Sequence, residues 1–331
     1  MLRAGHHGAA LECEDWDRLI TWIDLNKLAH GSWTEIVGVD AASASRRPGA
    51  VVVAAGQSVG PTLEGWPFDA AEARRRQETG GPPQRTIDLG GGVTLRLRRI
   101  PAGRFVAGRS APRVVKIAQP FWMSACEIDN AQFARFDPAH DSGLETGDFL
   151  QFSEAERGWP LNASNQPVVR VSWHRAMEFC QWLSAATRES FSLPDQMQWE
   201  YACRAGAATE LWFGPAEADF AQFANLADAA FWRVETFPPW GLPSGATDPY
   251  RPAVTTEADG HRVSAPTGSF RPNAWGLYDM HGNVAEWTSS PFAPGGGADT
   301  PRVVRGGIVV RAAAVGGRLA ARCVSALAGR A

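Results

Sequence analysis

Gly276-Leu277-Tyr278-Asp279-Met280-His281-Gly282-Asn283-Val284-Ala285-Glu286-Trp287-Thr288 is the run whose reading decides the fold. Two glycines, an Asn and two acids stand among aromatics, and neither a 3.6-residue nor a 2-residue apolar period survives. Gly and Asn accept positive φ angles, so this backbone can curl and aim successive carbonyl oxygens at one point. With the Glu286 carboxylate added, the run offers an oxygen cage for a hard cation such as Ca²⁺. The same residues also suit a buried turn whose Glu is satisfied by backbone N–H groups. On spacing alone the turn is favoured.

Outward from this run stand Pro101-Ala102-Gly103-Arg104-Phe105, Glu127-Ile128-Asp129-Asn130-Ala131-Gln132-Phe133 and Gln166-Pro167-Val168-Val169-Arg170-Val171-Ser172-Trp173. Further on come Leu193-Pro194-Asp195-Gln196-Met197-Gln198-Trp199-Glu200-Tyr201-Ala202-Cys203-Arg204 and Arg305-Gly306-Gly307. Together, and in this order over roughly residues 86 to 307, they resemble the formylglycine-generating enzyme family, the sulfatase-modifying factors. One such motif would be weak; six in order are strong.

The resemblance implies an α+β fold. It would be a C-type-lectin-like formylglycine-generating-enzyme domain, loop-rich, with two main helices on small twisted antiparallel sheets. It also implies two structural Ca²⁺ sites. Family positions of the first map onto the Asn225 side chain, the Leu226 carbonyl, the Asp259 carboxylate and the His261 carbonyl; those of the second map onto Asp279, Gly282, Val284 and Glu286. Oxygen donors of this kind suit Ca²⁺ and not a transition metal. Asn283 matches the family's active-site Asn and is the candidate substrate-binding residue.

The family's chemistry is the oxidation of a sulfatase cysteine to formylglycine with O₂, on a cysteine pair that holds copper. That pair follows Arg-Gly-Gly-Ser by a few residues. Here the chain continues Ile308-Val309-Val310-Arg311-Ala312-Ala313-Ala314-Val315-Gly316, with neither cysteine. The family's serine is Ile308 and its active-site Trp is Ala285. Cys323 lies too far along, and one thiol makes no two-coordinate Cu(I) site. Copper is therefore not expected, no residue is assigned a catalytic role, and the expected function is a non-catalytic or degenerate binding or accessory module. The alternative is the formylglycine-generating oxidase itself.

Composition sets the other bounds. A 331-residue chain holds one large or two ordinary domains, and a net charge of −3 argues against bulk electrostatic attraction to nucleic acid. Fourteen Trp against three Tyr points to large buried rings in a loop-rich core rather than a sugar platform. The five cysteines (Cys13, Cys126, Cys180, Cys203, Cys323) show no CxxC or zinc spacing and read as buried thiols. No apolar run reaches membrane-spanning length and no secretory leader is seen, so cytoplasm is the default and the expected partner is a protein or peptide ligand.

Three segments are expected. Residues 1–40 include an amphipathic stretch with Trp16, Leu19, Ile20, Trp22 and Ile23, similar to the tail of a module preceding the family domain in large bacterial proteins. The chain would then be the C-terminal part of something longer. Residues 41–85 read as linker, with Ala70 to Gln77 a helical connector, and 86–331 as the family domain. From residue 308 the composition turns abruptly to Ala, Gly, Val and Arg, and the family's closing Gly-Phe-Arg strand does not follow. That end reads as atypical or truncated, either by a one-base shift of frame or by genuine divergence, and would leave a sheet edge unpaired.

Local signals place the remaining elements. Val93 to Ile100 alternates as a half-buried strand, and Phe121-Trp122-Met123 with Cys126-Glu127-Ile128 reads as another. Asn130 is the expected cap of a helix to Phe136. Ser172 caps the clearest helix, to Thr187, with Ala176, Phe179, Cys180 and Leu183 on one face. A further helix starts at Leu193-Pro194-Asp195 and stops at Gly206.

Overall fold

The computed structural model describes residues 61–108, 112–145, 159–209, 211–215, 218–226, 259–261, 263–292, 302–306 and 328–330. The expectations for residues 1–40, and for the family's cysteine positions at 308–316, lie outside them.

A five-stranded antiparallel sheet organises the body. Its strands are β1 (Gln84–Gly90), β2 (Val93–Ile100), β5 (Phe121–Ser124), β8 (Phe191–Ser192) and β11 (Ala328–Arg330), in the spatial order β1-β2-β5-β11-β8. Two-stranded sheets surround it: β3 (Gly103–Ala107) with β4 (Arg113–Ile117), β6 (Leu144–Glu145) with β7 (Trp159–Pro160), and β9 (Ala285–Pro291) with β10 (Arg302–Gly306). The fold is α+β, loop-rich, with small antiparallel sheets.

Alternation along β2 and β5 sends side chains to two cores, one on each face of the large sheet. Ile100, Phe121 and Met123 join Phe105, Trp199, Tyr201 and Trp275 in one cluster. Leu95 and Leu97 join Ile128, Phe133, Phe179, Leu183 and Phe191 in the other. Trp66, Trp199 and Trp275 are buried outright, as the structural reading of the tryptophans requires.

Helix α3 (Trp173–Thr187) has Ser172 as its cap, the Ser hydroxyl accepting from the Arg175 N–H at 3.2 Å. Its buried face is Ala176, Phe179, Cys180 and Leu183. Helix α4 (Gln196–Arg204) begins at a capping box between Asp195 and Gln198. It ends where Ala205 and Gly206 turn left-handed; a Cβ at Gly206 would stand 2.5 Å from the Phe68 carbonyl oxygen.

Three local expectations are corrected. The cap of helix α2 (Asn130–Phe133) is Asp129, which forms a capping box with Gln132. Asn130 instead donates to the Leu161 and Ala163 carbonyls, and the helix stops at Phe133, short of Phe136. The second half of the expected strand at Cys126–Ile128 is not in the sheet. β5 ends at Ser124, whose hydroxyl reaches over to the Cys126 carbonyl at 2.5 Å. Chain direction changes there, which puts Glu127 inside the molecule.

Packing also begins upstream of Thr86. Helix α1 (Ala70–Thr79), capped by Asp69, lays Ala73 beside Leu63 and Trp66 in the first core. Gln77 donates to the Arg99 and Trp275 carbonyls, and the Trp275 indole N–H donates to the Ala73 carbonyl. At the other end, Ala328–Arg330 pairs with both β5 and β8, so the sheet edge expected to lie open is filled by the last residues of the atypical tail. Among the described residues β8 has no other partner strand.

Removing residues 328–331 should therefore unseat β8 as well as β11. At about 1 kcal/mol per net hydrogen bond, and about 2–4 °C per kcal/mol for a body of this size, the melting temperature should drop by roughly 5–10 °C. An unchanged melting temperature in the truncated chain would show that this strand contributes nothing.

Candidate functional site

The Gly276–Thr288 run is held from both sides. Asn273 is buried; its amide donates to the Ala202 and Cys203 carbonyls at the end of α4, while its Oδ1 accepts from the Trp275 and Leu277 N–H groups. Tyr278 N–H then donates to the Ala125 carbonyl just after β5. With both ends fixed, the intervening residues reverse direction through left-handed backbone at Asp279 (φ 56°), Gly282 (φ 79°) and Asn283 (φ 55°). A Cβ at Gly282 would meet the Asn225 carbonyl oxygen at 2.0 Å, so the close approach there requires glycine.

Asn283 is the junction of this arrangement. Its backbone N–H donates to the Asn225 carbonyl at 2.7 Å. Its side-chain Oδ1 accepts from Ala265 N–H and the Asn225 amide; its Nδ2 donates to Glu127 at 2.9 Å and to the Ala265 carbonyl at 3.3 Å. A half-buried residue whose backbone N–H and both side-chain polar atoms are engaged orders loops. The substrate-binding role expected of it stays a matter for proposal.

The first expected cation set is brought together around Asp259. Its carboxylate oxygens accept the Leu226 N–H at 3.0 Å and the His261 N–H at 2.8 Å, while Asn225 turns its amide nitrogen to the Val263 carbonyl. Each Asp259 oxygen already has a donor.

The second set differs. Asp279 is 2% exposed; one oxygen accepts the Gly268 N–H at 2.6 Å and the other, Oδ1, is buried with no hydrogen-bond partner. Glu286, also 2% exposed, accepts from the Trp199 indole N–H at 2.6 Å. Gly282 and Val284 lie between them in the curl. Glu127 is likewise 2% exposed; its Oε2 accepts from Asn283 while Oε1 has no partner. Sequence reasoning placed Glu127 in a strand and missed it. The available signal was an acid directly between Cys126 and Ile128, where an apolar residue would be cheaper to bury.

Burial, followed by the charges of Asp279 and Glu286, pushes the Glu127 carboxyl well above the usual range. Burial likewise pushes Asp279 up to about 6, against the opposing hydrogen bond from Gly268. Glu127 and Asp279 are buried carboxyls, each with one unpaired oxygen and with no Lys or Arg among the hydrogen-bond partners described for them. A hard cation satisfies such a set: it supplies positive charge and takes the oxygens left without donors. The second set fits Ca²⁺ on that ground. Among the described residues no three Cys, His, Asp or Glu side chains stand grouped as a ready metal cage, so carbonyl oxygens would have to complete it.

The three described thiols are inert. Burial pushes Cys126 and Cys180 each up to about 12 and raises Cys203 as well, so none is a thiolate near neutrality. Cys203 Sγ lies 3.5 Å from His281 Nε2, but that nitrogen already accepts the Trp212 N–H at 3.2 Å. Burial, helped by the Arg204 charge, lowers His281 to about 4. The imidazole is neutral and structural.

Gly306, the last residue of β10, sits over Glu286 with φ 76°; a Cβ there would stand 2.9 Å from the Val284 carbonyl oxygen. Arg305 reaches back to α4, 3.6 Å from Glu200, which also pairs with Arg204. Thus the Arg305-Gly306-Gly307 motif is anchored at its start to the same core as the curl.

Comparison with known proteins follows the same lines. A model of the sulfatase-modifying factor enzyme 1-like domain matches residues 90–322. The chain is 28% identical to the Mus musculus formylglycine-generating enzyme, with 82% of each chain covered. It is 35% identical to the Streptomyces coelicolor formylglycine-generating enzyme over 43% of this chain and 42% of that one. It is also 30% identical to the Mus musculus inactive C-alpha-formylglycine-generating enzyme 2, over 42% of this chain and 36% of that one. Among solved structures, Treponema denticola variable protein 1 shares the fold at a TM-score of 0.52 and 20% identity, covering 76% of this chain and 100% of its own.

Asp279 and His281 have opposite consequences for stability. Asp279, raised to about 6 from an ordinary 3.8, stabilises the fold fully below the lower value, and this is lost as pH rises through 6. His281, lowered to about 4 from 6.5, stabilises it fully above the upper value, and this is lost as pH falls through 4. In chelator the two offset between pH 4 and 6.5. The variant His281→Gln removes one side, and its stability should fall by about 2 kcal/mol from pH 4 to 6.5 relative to the parent curve. Denaturant melts across that range check it; parallel curves would contradict it.

Proposed function

The chain belongs to the sulfatase-modifying factor enzyme 1-like domain family, and on that premise we propose that it is a non-catalytic binding or accessory member, stabilised internally by Ca²⁺. The carrying observation is the sulfur inventory. No cysteine follows Arg305-Gly306-Gly307 until Cys323, and burial holds the three described thiols protonated. Copper held by a thiolate pair needs two deprotonated sulfurs at one point, and this set supplies none. The relatives carry both outcomes in their names, active enzyme and inactive enzyme 2, so the residues of this chain decide.

Ca²⁺ would be held by Asp279 and Glu286 with the Gly282 and Val284 carbonyls; in the first set the Asp259 oxygens already accept the Leu226 and His261 N–H groups, and no ion is proposed there. The part of Ca²⁺ is electrostatic: it neutralises buried carboxylates and ties loops that have few ladder hydrogen bonds. The ligand on this C-type-lectin-like scaffold would be a protein or peptide.

Two measurements test the reading. Co-expression with a Cys-x-Pro-x-Arg peptide should yield no aldehyde above background by mass spectrometry; stoichiometric aldehyde would establish the oxidase instead. A chelator should lower the melting temperature by roughly 5–10 °C, reversed by added Ca²⁺, since saturation at a hundred times Kd is worth about 2.7 kcal/mol. A melting temperature indifferent to chelator would remove Ca²⁺ from the account.

A further inference from the structure

We propose that the outer edge of β1 is a homodimer interface, at which Thr86 of one copy pairs with Thr86 of a second across a twofold axis and joins the two five-stranded sheets. β1 stands first in the order β1-β2-β5-β11-β8, so among the described residues its far side has no strand on it. The Arg99 N–H donates to the Pro83 carbonyl at 3.0 Å, which fixes the phase of the β1–β2 ladder. Hydrogen-bonded positions alternate in an antiparallel pair, so Arg85 and Ile87 turn their backbone groups to β2. Arg96, the partner of Thr86, agrees with this phase: its carbonyl is turned the other way and accepts the Ala125 N–H at 2.8 Å. Gln84, Thr86 and Asp88 therefore turn their backbone groups outward, and all three residues are exposed.

An open edge normally carries a device that blocks it, such as a lysine, a proline or a bulge. None stands among the three outward positions. Pro82 and Pro83 close the edge at one end, and the bulge between Asp88 and Gly90 closes it at the other. Between them runs a short ladder of unused backbone donors and acceptors.

The side chains select the occupant. With Thr86 on the axis, Gln84 of one copy faces Asp88 of the other, on both sides. Gln84 Oε1 accepts from the Arg98 guanidinium at 2.7 Å, which leaves the Gln84 NH₂ as a donor beside a positive charge. Asp88 Oδ1 accepts the Gly90 N–H at 2.8 Å, which leaves Oδ2 as an acceptor. Donor meets acceptor twice. Other registers lose this match: an axis at Asp88 opposes two carboxylates, and one at Gln84 sets Thr86 against Pro82, which has no N–H. On the opposite side of the strand, Arg85 is already paired with Glu189 and lies over Trp122, so it would cover the half-buried Ile87 of the second copy without adding an unpaired charge. A peptide of any sequence could take the backbone bonds, but a second copy supplies the Gln84–Asp88 pairing by symmetry.

So short an edge makes a small interface, so the dimer should be weak and concentration-dependent. Sedimentation velocity of the full chain, from micromolar to near-millimolar concentration, should show a monomer–dimer equilibrium. Thr86→Pro removes the outward N–H and leaves the inward ladder of β1 in place. It should raise the dissociation constant by about tenfold or more, since two hydrogen bonds on the axis are lost. Thr86→Lys, which opposes two like charges on the axis, should act in the same direction. Both variants should melt with the parent when dilute. Thr86→Cys should form a disulfide-linked dimer on mild oxidation beyond any the parent forms, since Cα atoms of a hydrogen-bonded pair stand about 5.5 Å apart.

A parent chain that sediments as a monomer throughout overturns the proposal. So does a dimer that neither Thr86→Pro nor Thr86→Lys weakens, because its contact then lies elsewhere. If Thr86→Pro melts lower when dilute, Thr86→Lys decides: a weakened dimer with an unchanged melt supports the twofold edge, and an undiminished dimer overturns it. Oxidised Thr86→Cys that yields no more covalent dimer than the parent also overturns it.

Discussion

The constraint on which the rest of this structure depends is the charge buried beneath the Gly276–Thr288 curl. Glu127, Asp279 and Glu286 are carried into the interior by elements that have no choice about where they go. β5 must end before Cys126 because the chain turns there. The curl must reverse because Asn273 and Tyr278 are fixed at its entrance. Burying one carboxylate without a partner costs several kcal/mol, and neighbouring like charges add to that. Raised carboxyl pKa values are the metal-free molecule's way of reducing the cost; a bound cation removes it without protonation.

Side-chain hydrogen bonding explains why so irregular a region is ordered. The loops around Asn225, Asp259 and Ala265 have almost no ladder pairing among the described residues. They are joined instead by Asn283, by the Asp259 carboxylate and by the single Asn225–Gly282 bridge. Such a network rewards precise placement and collapses if one member is misplaced. The five-stranded sheet differs, with apolar cores on both faces and an inner strand, β11, supplied by Ala328–Arg330.

What could be read from the sequence follows from how local each determinant is. Helix α3 was legible because its cap, period and buried face are all encoded within one run from Ser172 to Leu183. The start of α4 near Asp195 and its stop at Gly206 were legible for the same reason. The cap of α2 was displaced by one residue: Asp129 and Asn130 are both good caps, and only the distant Leu161 and Ala163 carbonyls, which claim the Asn130 amide, decide between them. The ends of the body were illegible in the same way. Ala328-Gly329-Arg330 has little strand propensity and earns its place through β5 and β8. Acids within one run, such as Asp279 and Glu286, are visible together in a sequence, whereas the burial of Glu127 depends on a bend elsewhere in the chain.

The same partition separates scaffold from chemistry. The motifs that build the curl and the elements around it are present here, whereas no cysteine follows Arg305-Gly306-Gly307 until Cys323. What neutralises the buried carboxylates can be seen directly by diffraction. Crystals grown with Ca²⁺ and measured at a long wavelength should give an anomalous peak at about 2.3–2.6 Å from carboxylate and carbonyl oxygens of the Asp279–Glu286 curl. Clear density for these side chains with no such peak, and with protein donors or water on the Asp279 and Glu127 oxygens, would contradict the account.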